Sequence, residues 1–341
     1  FSEYDESSQA RNIAQSLGLK FTSLKCTQEN ALNEIDAITS AYSEPFADSS
    51  QIPTMLIAKL ARSKATVVLT GDCGDELFGG YNRYLLASKY ARFIYLLPKK
   101  FKKRLINISD SRIGPYIEKL FNMYFANQFS GNISDRFKKS LMKIAEIDND
   151  LEFYLSMTRE WTEETGIKKF NFNDKRFNHF FDNFDHLQGF EKMMLADFHS
   201  YMTDDILCKV DRASMHYSLE TRVPFLDLDV INAASQINFT DKISRGYETK
   251  NILKQILLEY LPKNLFDKPK QGFGVPISQW LRNELRDYAH DHCSQSMNER
   301  HGYFNQSVVN KILDEHMSGN FNHEHKLWSI IQFNSWYASN S

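Results

Sequence analysis

A six-residue run rich in β-branched side chains, Ala65 to Thr70 (Ala-Thr-Val-Val-Leu-Thr), leads straight into Gly-Asp-Cys-Gly-Asp-Glu-Leu-Phe-Gly-Gly-Tyr, residues 71–81. A short apolar β-branched run that stops at a glycine reads as a buried strand, and the glycine-punctuated segment after it reads as a loop that opens a helix. Strand–loop–helix is the repeating unit of a parallel sheet covered on both faces. In open α/β sheets, ligands bind beyond the carboxyl ends of the strands. Three carboxylates, Asp72, Asp75 and Glu76, crowd that point. They repel one another unless a cation sits among them. A Mg²⁺ held by one or two carboxylates and by phosphate oxygens is the economical solution. Gly71 and Gly74 let backbone come close to a ligand or turn sharply. An acidic first turn that favours the helix dipole explains the carboxylates equally well. The flanking Gly79, Gly80 and Tyr81 tilt the reading toward function.

The chain around this segment reads as helix-rich. In 341 residues there are 14 Gly and 8 Pro, about 4% and 2% where roughly 7% and 5% are usual. Few breakers imply long helices. Before residue 65, helix and extended signals alternate. Ala10, Ile13, Ala14 and Leu17 recur at helical spacing, with Gly18 as a C-cap. Lys20 to Leu24 is a short extended run. Leu32, Ile35 and Ile38 mark a second helix, and Pro53 and Thr54 open a third through Leu56 and Leu60. After Glu76 the signals are helical, with almost no strand. Asp204 to Tyr217 is expected helical. Leu253, Ile256, Leu257 and Tyr260 form an apolar stripe before Pro262, and Trp280, Leu281 and Leu285 lie on a helix after Pro276.

Two further segments carry charge in a pattern. Lys268 to Pro276 (Lys-Pro-Lys-Gln-Gly-Phe-Gly-Val-Pro) is a basic loop suited to polyphosphate, although a solvated turn explains it better when taken alone. Asp205, Lys209 and Arg212 fall at i, i+4, i+7, a spacing that gives ion pairs worth only a few tenths of a kcal/mol. A structural role is the better reading there.

Several function classes lack an anchor. Lys+Arg 41 against Asp+Glu 43 leaves a net charge of −2, so nothing favours nucleic acid. No apolar stretch approaches the roughly 18 residues that span a bilayer. The four cysteines, Cys26, Cys73, Cys208 and Cys293, lie far apart with no Cys-x-x-Cys, as expected of free thiols in the cytoplasm. His323-Glu-His325 lacks the spacing of a zincin, and His290, His292 and Cys293 fit a surface helix better than a metal site. There is no Gly-x-Ser-x-Gly, Walker A or Gly-x-Gly-x-x-Gly.

Three segments, in order, resemble the synthetase domain of the glutamine-dependent asparagine synthetases. Thr70 to Tyr81 is similar to that family's Ser-Gly-[Asp/Glu]-Gly-x-Asp-Glu-x-Phe-Gly-Gly-Tyr loop. Lys209 to Asp227 resembles its Lys-Val-Asp-Arg…Arg-Val-Pro-Phe-Leu-Asp run, and Lys270 to Pro276 its Lys-Gln-Gly-Phe-Gly-x-Pro segment. Tyr4-Asp5-Glu6 and the helix after it also fit, so the resemblance covers nearly the whole chain.

The resemblance implies an α/β fold with a parallel sheet of the adenine-nucleotide α-hydrolase (ATP-pyrophosphatase, PP-loop) type and a large helical C-terminal part. Residues 1–90 are then the remaining part of the nucleotide-binding core, and 91–341 a mostly helical region completing the same domain. The implied reaction adenylates the side-chain carboxylate of aspartate with ATP, and ammonia derived from glutamine then gives asparagine, AMP and pyrophosphate. Thr70 and Gly71 match the nucleotide site, Asp75 the Mg²⁺ ligand, Asp72 an acidic position acting on ammonia or substrate, and Lys270 the lysine at the α-phosphate. Glu76 belongs with this catalytic group. Asp72 stands where some members have Glu.

Two departures are large. The Ser-Gly-Gly-x-Asp-Ser pyrophosphate loop, with its second Mg²⁺-ligating Asp, is absent, and so is a glutaminase domain with its N-terminal Cys, which Cys26 cannot replace. The expectation is a chain truncated upstream of Phe1 and inactive by itself, from a cytoplasmic enzyme with no membrane or nucleic-acid partner. A homodimer stays open. The alternatives are a related amidotransferase or cyclase acting on another carboxylic acid (a β-lactam, peptide or cell-surface sugar) and an inert scaffold.

Overall fold

A computed structural model describes residues 6–25, 27–109, 141–161, 166–168, 177–184, 186–244, 248–266 and 274–341. Tyr4, Cys26, Lys268 and Lys270 therefore lie outside the described residues. The chain divides into two compact units, Phe1–Leu85 with Met194–Pro276, and Leu86–Met193 with Ile277–Ser341.

In the first unit, α1 (Ser7–Ser16) ends as its spacing predicts. Gly18 takes φ +66°, and the N–H groups of Gly18 and Leu19 close on the carbonyls of Gln15 and Ala14 at 3.1 and 2.8 Å. A glycine in that left-handed position lets the last carbonyls be satisfied without steric cost. α2 (Gln28–Ala41) is capped by Thr27, whose side chain accepts from the Asn30 N–H. Of its predicted apolar residues Ile35 and Ile38 are buried and Leu32 is half-buried, while Ala31 is buried beside them. α3 (Gln51–Arg62) buries Ile52, Met55, Leu56 and Ala58 and packs on α2.

β1 (Val67–Leu69) follows, then α4 (Gly74–Phe78). β1 runs parallel to β2 (Glu220–Arg222), with Val67, Val68 and Leu69 opposite Glu220, Thr221 and Arg222. Hydrogen bonds from Thr70 N–H to the Arg222 carbonyl and from Glu220 N–H to the Thr66 carbonyl, both 2.9 Å, extend the ladder.

The sheet corrects three expectations. Among the described residues it has two strands. Lys20 to Leu24 joins no ladder, because an extended run becomes a strand only where a neighbour takes its N–H and C=O groups. β2 has no apolar signature at all, being Glu-Thr-Arg, and its strand state comes from β1. Finally, β1 is not buried: Val67 is 39% and Leu69 72% exposed. Burial of a parallel strand needs cover on both faces, and β1 does not have it among the described residues.

A π-helix, Tyr201–Leu207, runs into α5 (Cys208–His216), which packs on α3. The expected Asp205–Lys209 pair at i, i+4 is present, whereas Arg212 does not join it. Lys209 Nζ lies 3.9 Å from Asp205 but 2.6 Å from Asp48, and Arg212 pairs with Asp211. α6 (Leu228–Gln236) and α7 (Asn251–Leu257) both pack on α4. The expected stripe on α7 is split: Leu253 packs on the cluster of Leu77, Phe78 and Ala234, while Ile256 and Tyr260 are exposed.

The second unit is helical. Its core includes Phe153 and Tyr154 of Asp150–Thr158, Trp280 and Leu281 of Ile277–Arg282, and Leu327, Trp328, Ile330 and Ile331 of Glu324–Asn340. Leu285 is buried just past the end of the Trp280 helix. A fully buried Lys102 is held by Asp148 at 3.0 Å and by the Ile147 carbonyl. His323 pairs with Glu315 at 2.7 Å. Among the described residues no group of three or more His, Cys, Asp or Glu is placed to hold a metal, and no helix is long and apolar enough to cross a membrane.

Candidate active site

The loop after β1 is organised by where its apolar residues must go. Leu77 and Phe78 of α4 pack against Ala234, Phe225, Ile231 and Ile252. That fixes the short helix, and Gly74 allows the approach: a Cβ there would lie 3.1 Å from the Phe225 ring. Cys73, before the helix, is buried in the left-handed region at φ +67°. Burial and the nearby Glu76 and Asp72 push its thiol up to about 12, so it is no nucleophile at neutral pH.

With the apolar face occupied, the carboxylates take the remaining directions. Asp75 meets Lys250, at the N-terminal edge of α7, with Oδ1 to Nζ 2.9 Å. Gly80 closes on this pair. A Cβ at Gly80 would lie 1.7 Å from Asp75 Oδ1 and 2.5 Å from Lys250 Cε, so only glycine leaves the carboxylate in place. Glu76 is 2% exposed and accepts a 2.5 Å hydrogen bond from the Tyr81 hydroxyl. Burial holds its carboxyl above the usual range, with the Tyr81 hydrogen bond opposing and the Asp75 charge adding to the rise.

Behind Tyr81 lies a cationic brace. The Arg83 guanidinium stacks 4.0 Å over the Tyr81 ring and 5.0 Å over that of Tyr201. Its Nε donates to the fully buried Asp197 at 2.8 Å, its Nη2 lies 2.7 Å from the same carboxylate oxygen as an ion pair, and the Tyr84 hydroxyl donates to that oxygen too. Arg83 thus holds the tyrosine whose hydroxyl engages Glu76.

Next to Tyr201, the π-helix presents Asp205 to a second polar group. Lys209 Nζ donates to Asp48 at 2.6 Å and to the Ser50 hydroxyl at 2.8 Å. Ser50 donates its N–H and O–H to the same aspartate. Burial alone would raise the Asp48 carboxyl, yet Lys209 and Ser50 hold it below its ordinary range. Asp205 is left with the opposite fate. Burial and the Asp48 charge raise it to about 7, and its Oδ1 is buried without a hydrogen-bond partner among the described residues.

Thr70, Gly71 and Asp72 thus lie on the loop after β1 and Asp75 and Glu76 on α4, which follows it, while Lys270 lies outside the described residues. The Thr70 hydroxyl is buried with no hydrogen-bond partner among the described residues. A Cβ at Gly71 would meet no atom within 4 Å. An open backbone approach, a hydroxyl orphaned among the described residues and a hard-oxygen carboxylate paired with Lys250 suit a phosphate-borne Mg²⁺, which takes only one or two protein carboxylates. Sequence reasoning missed Lys250, Arg83, Asp197 and Asp48. Each sits far along the chain from its partner, so no local pattern marks it.

A family model described as asparagine synthase matches residues 1–338. Glutamine-hydrolyzing asparagine synthetase 1 of Bacillus subtilis (strain 168) is 29% identical over 350 residues, covering 100% of this chain and 50% of that protein. A Mycobacterium bovis protein that bears the name provisionally is 28% identical over 339 residues, with 99% and 49% covered. A second Bacillus subtilis protein, glutamine-hydrolyzing asparagine synthetase 3, is 25% identical over 224 residues, 63% of this chain and 29% of its own length. The chain thus spans about half the length of the first two of these relatives. With the family match running from the first residue almost to the last, the chain belongs to the asparagine synthase family.

Proposed function

We propose that this chain is the synthetase part of an ATP-dependent amide-forming ligase, which adenylates the side-chain carboxylate of aspartate and passes the acyl group to ammonia. The observation that carries the proposal is the Asp75–Lys250–Gly80 arrangement. A glycine-gated carboxylate stands at the carboxyl end of a parallel strand, beside a loop with room for phosphate. In this reading Thr70 and Gly71 line the nucleotide site through their backbone, and Asp75 holds Mg²⁺. When bound, Mg²⁺ screens the negative charge of the triphosphate so that a carboxylate can approach the α-phosphorus. Pyrophosphate leaves, and the mixed anhydride formed carries AMP as its next leaving group.

Asp72 stands at the mouth of the loop, partly exposed, and takes a proton from the attacking ammonia. Glu76, held by Tyr81, supplies fixed negative charge that orients the substrate ammonium or the incoming ammonia. Lys270 stabilises charge on the α-phosphate. Residues 1–90 and 91–341 serve as nucleotide core and helical completion of one synthetase domain. The exposed Val67 and Leu69 and the doubled length of the relatives support an upstream segment that covers β1, brings the pyrophosphate loop and carries a glutaminase supplying ammonia from glutamine. Without that segment residues 1–341 are expected to be inactive. The inert-scaffold alternative loses ground, because a scaffold gains nothing from an Asp75 that forces glycine at position 80.

Aspartate-dependent ATP–pyrophosphate exchange by the full-length protein tests the proposal. Asp75→Asn should lower exchange by two orders of magnitude or more, in line with the loss of one fixed charge-stabilising group, about 10²–10³. Glutamine hydrolysis should persist. Exchange that is unchanged at limiting Mg²⁺ makes Asp75 a purely structural charge.

A further inference from the structure

Lys250 has an unusual backbone for its residue type. It lies in the left-handed region at φ +53°, a conformation that is unfavourable for a non-glycine residue and persists where the surroundings enforce it. The strained backbone aims the side chain at Asp75 Oδ1, 2.9 Å away. Gly80 leaves no gap around the pair. Asp75 Oδ1 itself is buried, while the rest of the two side chains reaches solvent, Lys250 34% and Asp75 21% exposed. Glu76, one residue on and 2% exposed, is engaged instead by the Tyr81 hydroxyl.

We propose that Lys250 is a built-in counter-ion that a divalent metal must displace from Asp75, and that this exchange makes metal binding conditional on the nucleotide. The inference rests on the reading of Asp75 as metal ligand. Oδ1, which faces Lys250, is buried, so a divalent ion would take the other carboxylate oxygen of Asp75 with the ammonium close beside it, and the two cations repel at that range. Without nucleotide, the metal forfeits the 2.9 Å pair with Asp75. With a triphosphate in place, the displaced ammonium meets phosphate oxygens, and the cost becomes a gain. Metal and nucleotide then favour each other by the same factor, as linkage requires. The metal-free loop is also protected: Asp75 keeps the Lys250 ammonium at 2.9 Å when no metal is present.

The test is Mn²⁺ binding to the full-length protein, read by electron paramagnetic resonance and calorimetry, for wild type, Lys250→Met, Lys250→Arg and Asp75→Asn. Without nucleotide, Lys250→Met should bind Mn²⁺ roughly five- to tenfold more tightly than wild type, the scale of a partly exposed ion pair. Lys250→Arg, which keeps the charge, should stay as weak as wild type, and it serves if the methionine variant fails to fold. With a non-hydrolysable ATP analogue the order should reverse, Lys250→Met binding several-fold more weakly. Equal Mn²⁺ affinities for wild type and Lys250→Met without nucleotide, or tighter binding by Lys250→Met in both conditions, overturn the proposal while leaving Asp75 as the ligand. Mn²⁺ binding with the ATP analogue that is indifferent to Asp75→Asn overturns the metal reading itself.

Discussion

At the scale of single residues, the two lysines around Pro269 offer the sharpest contrast. When a carboxylate attacks the α-phosphate, negative charge builds on its oxygens, and a fixed ammonium there stabilises the transition state more than the ground state. Lys270→Ala in the full-length protein should cut kcat by about 10²–10³ and leave KM for ATP within a few-fold. Lys268→Ala should matter far less, because the proposal assigns the α-phosphate to Lys270 alone. Steady-state kinetics of both variants decides it: equal losses, or none, reduce the segment to a generic basic turn. Gly80 makes a second contrast, with Gly71. A Cβ at Gly80 must push Asp75 off its present position, and overpacking of this kind costs roughly 1–3 kcal/mol. Gly71→Ala meets nothing. Gly80→Ala should therefore lower the urea midpoint and Gly71→Ala should not, while both should weaken nucleotide binding measured by calorimetry. A Gly71→Ala protein that binds ATP as wild type removes Gly71 from the nucleotide site.

At the scale of elements, the π-helix Tyr201–Leu207 carries a pH signature. Asp205 has its carboxyl raised from 3.8 to about 7. Between those values the folded protein holds a proton that the unfolded chain has lost, so this group makes stability fall as pH rises from about 4 to 7. Asp205→Asn keeps the shape and removes the titration. The variant should match wild type near pH 4 and exceed it above pH 7 by roughly 1–2 kcal/mol, after discounting for a carboxylate that solvent still screens. Urea denaturation at the two pH values measures the difference, and a gap that stays constant with pH places the charge elsewhere. Much at this scale was legible in the sequence. α1, α2 and α3 and the Gly18 cap followed from apolar spacing and a glycine. The acidic loop followed from residue type and its place after a strand. β2, the π-turn and the exposure of β1 did not, because strand pairing, helix winding and burial depend on partners that a local pattern does not contain. The same holds for Lys250 and Arg83, whose partners Asp75 and Asp197 lie more than one hundred residues away along the chain.

At the scale of the whole molecule, two units each have a core of their own, and the chain crosses from one to the other at Leu85–Leu86, Met193–Met194 and Pro276–Ile277. The proposed chemistry gathers in the first unit, where the loop from Thr70 to Tyr81, the Arg83 brace and Lys250 meet. The second unit contributes a helical core in which polar groups pair internally, as His323 with Glu315 and Lys102 with Asp148 illustrate. The central claim is that the carboxylic acid attacks the α-phosphorus of ATP, and one labelling experiment reads that bond directly. The full-length protein is given aspartate labelled with ¹⁸O in its side-chain carboxylate, together with ATP, Mg²⁺ and glutamine, and the phosphorus products are analysed by mass spectrometry. Attack on the α-phosphorus, followed by displacement by ammonia, leaves one ¹⁸O in AMP at each turnover and none in pyrophosphate. Label found in inorganic phosphate, with ADP as the nucleotide product, means attack at the γ-phosphorus and contradicts the account.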